Sequence, residues 1–131
     1  MLQIKNRLTK VRDFNLLLER GMWFNSASFS LRVLCLEKNK NFFPPQEDKG
    51  LFAEQLRAGF TVGLKLSKSA VKRNRLKRQM REIVRLLIKE DKIKPGYYFL
   101  FVAKPGATSL GYSQIEEQII GLLKKGECLL K

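Results

Sequence analysis

Histidine is absent from this chain, and cysteine occurs only twice, at Cys35 and Cys128. The first absence removes zinc fingers and imidazole-based acid or base catalysis. The two cysteines are far apart, Cys35 among apolar neighbours and Cys128 near the C-terminus, so reduced thiols are expected rather than a disulfide. That favours a cytoplasmic address. Acidic residues are also scarce, 12 against 26 Lys and Arg. A metal nuclease built on protein carboxylates needs them to converge, and these are few and scattered. Long apolar stretches are missing too: the longest, Tyr97 to Ala103, has seven residues. Spanning a bilayer takes roughly 20, and the charged start MLQIKNRLTKVRDF does not read as a signal peptide, so neither membrane nor export is expected.

What is present is a foldable, strongly basic chain. With 131 residues, 44% of them apolar, it has material for one domain and a real core. Its net charge of +14 exceeds what solubility requires and points to a polyanionic partner.

Periodicity gives a coarse organisation. Thr9 can cap a first helix in which Val11, Phe14, Leu17 and Leu18 share a face, with Gly21 as its stop. Phe29 to Leu36 alternates as a strand, and Phe60, Val62, Leu64 and Leu66 alternate as another, each with one more polar side, so the sheet should have a wet face. Between them, residues 37–59 read as a long surface insertion, broken by Pro44-Pro45 and carrying at most one short helix. A second helix is predicted over Ala70 to Lys89, and YYFLFVA, apolar on both faces, as a central strand. Ser113 and Glu116 have capping-box spacing before a last helix with Ile115, Ile119, Leu122 and Leu123 as its stripe. The strands flanking the second helix can be parallel neighbours. The fold class is therefore α+β: a single-domain α/β sandwich, a roughly four-stranded sheet packed by three helices with a helical crossover.

The second helix concentrates the charge. From Lys65 to Lys94 there are twelve basic residues and three acidic ones, or +9 of the total +14. Leu76, Met80, Ile83 and Leu87 fall on one stripe, while Asn74, Lys77, Arg78, Arg81 and Arg85 gather opposite. An ordinary solvated face mixes charge signs, whereas this one crowds like charges. Binding to nucleic-acid phosphates would relieve the repulsion and release counterions. Lys72 to Arg75 should lie in the first turns, where free backbone amides and arginine forks both suit phosphate.

The string AVKRNRLKRQMRE (Ala70 to Glu82) resembles the signature of the protein subunit of bacterial ribonuclease P, with Arg73, Asn74 and Arg75 as its central motif. LTKVRDFNLLLERG, GFTVGLKLSK and FVAKPGATSLGYSQIE resemble, in order, that family's first helix, third strand, and last strand with the start of its final helix. The stretch from Ser67 to Ala70 is shorter than the family's approach to the motif, and the 37–59 insertion is longer than usual.

The resemblance implies a protein that joins a catalytic RNA to remove the 5′ leader from precursor tRNA. The RNA would do the chemistry with magnesium, and the protein would hold no cofactor and no catalytic residue. It implies RNA contacts by Arg73, Asn74, Arg75, Lys77, Arg78 and Arg81, and a leader-binding cleft containing Phe14, Leu18 and Arg32. Leu18 and Arg32 stand where the family often has aromatics, so this cleft would stack less and attract more. Tyr112 and Trp23, the latter placed in a linker after the first helix, are expected to be structural. Another small basic RNA binder, such as a ribosomal protein, is the alternative, and a DNA-binding architectural protein comes third.

Overall fold

The computed structural model describes residues 3–43, 54–63 and 68–129. Helix α1 (Val11–Arg20) leads into strands β1 (Met22–Asn25) and β2 (Phe29–Cys35). Strand β3 (Leu56–Thr61), helix α2 (Ala70–Lys89), strand β4 (Tyr97–Ala103) and helix α3 (Tyr112–Lys125) follow. The four strands form one sheet in the order β1-β2-β4-β3. Pairing is antiparallel from β1 to β2 and from β2 to β4, and parallel from β3 to β4, with α2 as the crossover. Strand β4 is central because its side chains are apolar on both faces.

Each face of the sheet buries its own cluster. On one, Leu31, Val33, Phe99 and Phe101 pack with Leu76, Met80, Ile83, Val84 and Leu87 of α2 and with Ile115, Ile119, Leu122 and Leu123 of α3. On the other, Leu34, Tyr98 and Leu100 pack with Leu8, Leu16, Leu17, Leu36 and Phe43. The face expected to be wet is thus largely covered, because α1 and the chain after β2 fold over it. Its open remainder runs along Asn25, Val102 and Thr61.

Several local expectations change. Lys10, not Thr9, is the N-cap of α1, and its side chain makes no cap bond. Val11 and Leu18 of the predicted apolar face are 73% and 53% exposed, while Asp13, Leu16 and Leu17 are buried. Asp13 tolerates burial through Arg12, whose Nη2 donates to its Oδ1 at 3.1 Å. Gly21 does end α1, for a steric reason: a Cβ there would lie 2.4 Å from the Leu17 carbonyl oxygen.

The third strand starts at Leu56, so Leu56 to Gly59 belong to the sheet and not to a surface insertion, and Phe43 is core. Alternation from Phe60 onward masked this, since Gly59 supplies no side chain to the pattern. Pro44-Pro45, Leu64, Lys65, Leu66 and Ser67 lie outside the described residues. The Ser113 box is not formed. Gly111 is the N-cap of α3, and Gln114 Oε1 accepts from its N–H at 2.9 Å. Trp23 lies on β1, a four-residue strand too short to show alternation. Cys35 and Cys128 are free thiols, as expected.

Candidate nucleic-acid interface

Helix α2 is held from one side and charged on the other. Ser69 caps it, its Oγ accepting from the Lys72 N–H at 3.3 Å. Leu76, Met80, Ile83, Val84 and Leu87 are buried, each contributing about 1.5–3 kcal/mol. Between Ala70 and Arg81 stand six basic residues and no acidic one. Each like-charge neighbour pair costs only about 0.2–0.5 kcal/mol, so packing prevails and the cations stay crowded.

Of the expected RNA-contact residues, Asn74, Arg75, Arg78 and Arg81 are exposed, and Arg73 and Lys77 are half-buried. Arg75 is steadied by a bond from its Nη2 to the Thr108 carbonyl at 3.2 Å, which ties the motif to the turn after β4. Arg85 departs from the expected group. Its Nε donates to Glu82 Oε2 at 3.0 Å and its Nη2 to the other carboxylate oxygen. This bond holds the Glu82 carboxyl below its ordinary pKa and the Arg85 guanidinium above its own. The concentrated positive face therefore ends at Arg81.

Phe14, Leu18 and Arg32 are strung along α1, with Phe14 in its first half against β3 and Arg32 at its end beside the Leu18 carbonyl. Phe14 is half-buried and, with Val102, forms the margin of the second core cluster. A Cβ on Gly59 would come within 3.2 Å of the Phe14 ring, so the glycine lets the ring lie against the sheet backbone. Phe14 and Gly59 also line a cavity of about 270 Å³ together with Arg7, Leu8, Thr9 and Arg81. The cavity sets Phe14 beside the basic face, a relation that sequence spacing could not show because Phe14 is on α1 and Arg81 on α2.

At the other end of α1, Arg32 Nη1 donates to the Leu18 carbonyl at 2.6 Å, and its guanidinium carbon sits 3.4 Å from the Trp23 ring centroid. Arg32 is thus less a free cation than expected: the carbonyl at the end of α1 and an indole hold it. Trp23, assigned above to a linker, is directly opposite Arg32 in the β1–β2 pairing. Tyr112 opens α3 at the surface. Among the described residues no cluster of His, Cys, Asp and Glu converges as a metal site, and no helix is long and apolar enough to cross a membrane.

Comparison with known proteins adds to this geometry. A family model described as Ribonuclease P matches residues 2–127. A ribonuclease P protein component from Synechococcus is 33% identical over 130 residues, covering 99% of this chain and 88% of the relative. One from Cyanothece is 32% identical over 130 residues, covering 98% of each. Among solved structures, the Staphylococcus aureus RNase P protein superposes with a TM-score of 0.73 at 21% identity, over 94% of this chain and 96% of that one. The Thermotoga maritima RNase P protein gives 0.67 at 22% identity, over 91% and 96%. At these identities the two structures speak for the fold alone.

Proposed function

Because the chain belongs to the ribonuclease P protein family and is the RNA-binding protein component of that endoribonuclease, we propose that it works by two linked surfaces, one for the catalytic RNA and one for the leader of precursor tRNA. The alternative of a ribosomal protein falls with the family assignment. The observation that carries the proposal is the cavity lined by both Phe14 and Arg81, which supports reading the basic helix and the α1 side as one surface.

On the first surface, Arg73, Asn74, Arg75, Lys77, Arg78 and Arg81 bind phosphates of the catalytic RNA. Arginine forks grip such oxygens bidentately, and counterion release favours the complex. On the second, the single-stranded leader leaves the cleavage site past Arg81, its bases reaching Phe14 and then Leu18. Stacking on a ring is worth about 1–3 kcal/mol per base and is indifferent to base identity, as variable leaders require.

The magnesium that the holoenzyme uses does not fit the donors of this chain. Its acids are dispersed, and Glu82, the single acid within α2, is engaged by Arg85, so the metal belongs to the RNA in this reading, as does the hydrolytic step. The protein's contribution is to bind, to orient the leader, and to lower the salt and metal needed for assembly. The free thiols and basic surface fit a cytoplasmic protein whose partners are RNA rather than DNA or membrane.

Reconstitution tests this directly. The protein with a bacterial ribonuclease P RNA and precursor tRNA should accelerate leader removal at low magnesium, and the protein alone should leave the precursor intact. Cleavage by RNA-free protein would replace the proposal with an autonomous nuclease.

A further inference from the structure

Trp23 is the one tryptophan of the chain, and 49% of it is exposed. It lies on β1, an edge strand, where Met22 is more exposed still. A large indole on a sheet edge is costly to leave in water, and stability alone does not explain it. Its neighbours suggest a use. The Arg32 guanidinium covers one face of the ring at 3.4 Å, and its Nη1 is fixed to the Leu18 carbonyl at 2.6 Å. The remaining half of the indole faces solvent on a rigid mount: a strand residue in antiparallel register with Arg32, backed by the end of α1.

We propose that Trp23 is a stacking site for an unpaired nucleobase of RNA, at the far end of the α1 cleft. The proposal rests on the leader reading above and extends it. Three features select an unpaired nucleotide as the occupant. The ring carries a fixed positive charge, since the Arg32 guanidinium lies on it in a chain of net charge +14. The indole stands at the end of the helix that carries Phe14 and Leu18, joined to it by Arg32, which lies on the ring and bonds the Leu18 carbonyl. Finally, a base laid on the open half of the indole would extend a ladder of base, indole and guanidinium, in which the cation polarises the ring and strengthens stacking.

This placement also orders the contacts. Phe14 and Leu18 are about 6 Å apart along α1, and Trp23 lies beyond both. A leader long enough to cover Phe14 need not reach Trp23, so Trp23 serves long leaders only.

The test uses the holoenzyme assembled from the full chain. Tryptophan fluorescence comes from Trp23 alone, so adding a precursor with a long leader should quench it, while a precursor with a very short leader, or mature tRNA, should leave it nearly unchanged. Trp23→Ala should weaken binding of the long-leader precursor by roughly 5-fold to 100-fold, with little effect on the other two, and Trp23→Phe should restore most of the loss. Unchanged fluorescence on long-leader binding would overturn the proposal, as would an equal loss for all three RNAs. So would self-association of the protein that Trp23→Ala abolishes, since the indole would then serve a second copy of the chain. If Phe14→Ala loses the preference for precursor while Trp23→Ala does not, the leader cleft stands and the stacking site fails. If neither loses it, the cleft reading itself fails.

Discussion

Removing Arg78 and Arg81 together gives the most direct physical test of the basic face. Both are exposed, and neither lies in the buried stripe of α2. If each neutralises one phosphate, Arg78→Ala with Arg81→Ala should flatten the slope of log affinity against log salt by about 1.4–1.8, at about 0.7–0.9 per contact. Fourfold more salt then narrows the gap between variant and wild type by about tenfold. Stability should move the other way. The two residues are three apart on one helix face, so their loss relieves about 0.2–0.5 kcal/mol of repulsion. For a domain of this size that is a rise of about 1–2 °C in Tm. Filter binding to ribonuclease P RNA across a salt series, with thermal melts of the free protein, measures both. A wild-type salt slope combined with a lowered Tm would refute the reasoning, because the arginines would then be holding the fold and not the RNA.

Other outcomes follow from particular residues. Phe14→Ala should cost the holoenzyme about 1–3 kcal/mol of its preference for precursor over mature tRNA; equal losses for both RNAs with early unfolding would instead identify Phe14 as core. Met80→Ala, at a fully buried position of α2, should cost about 2–5 kcal/mol in denaturant unfolding while leaving the salt slope of RNA binding unchanged; a changed slope would mean that the stripe and the cationic face are not separable. Burial pushes the Cys128 thiol up from its ordinary value of 9.0 to about 11. The folded state then holds a proton that the unfolded chain gives up between those values, so this thiol's contribution should be complete below pH 9 and lost as pH rises towards 11. Comparing alkaline unfolding of the wild type and Cys128→Ala checks the sign, and a wild type that gains stability relative to the variant over that range would contradict it.

The parts of the fold legible in the sequence were those in which one element carries its own evidence. Helix α2 was readable to its ends because a 20-residue amphipathic pattern repeats many times, and β4 because seven apolar residues suit only a central strand. Strand β3 was misplaced because Gly59 is silent in any hydropathy pattern, although its missing side chain is what lets Phe14 approach the sheet. Strand β1 was invisible because four residues hold two alternations at most. The site followed the same division. The cations of α2 could be read from spacing, whereas the capture of Arg85 by Glu82, and of Arg32 by Leu18 and Trp23, depends on rotamers and on cross-strand register.

The parallel crossover accounts for how the proposed leader cleft can adjoin the basic helix. β3 and β4 are parallel neighbours, so α2 must return across one face of the sheet while α1 lies on the other. Two surfaces on opposite faces would ordinarily be separated by the sheet. Here β3 is an edge strand, and beside it the N-terminal segment pairs only by a bridge from Arg7 to Ala58. Arg81, on the exposed side of α2, can therefore line the same cavity as Phe14 around that edge. Widening the sheet by one strand next to β3 would separate them. Gly59→Val tests the dependence without changing any side chain of α2. Its branched side chain would enter space already tight at 3.2 Å from Leu8 and Phe14, displacing the ring from the cavity shared with Arg81. Binding of the catalytic RNA should survive, because the α2 face is unaltered, while the preference for precursor over mature tRNA should fall as far as in Phe14→Ala. Retention of that preference in a folded Gly59→Val protein would mean that the leader does not pass between Phe14 and the edge of the sheet.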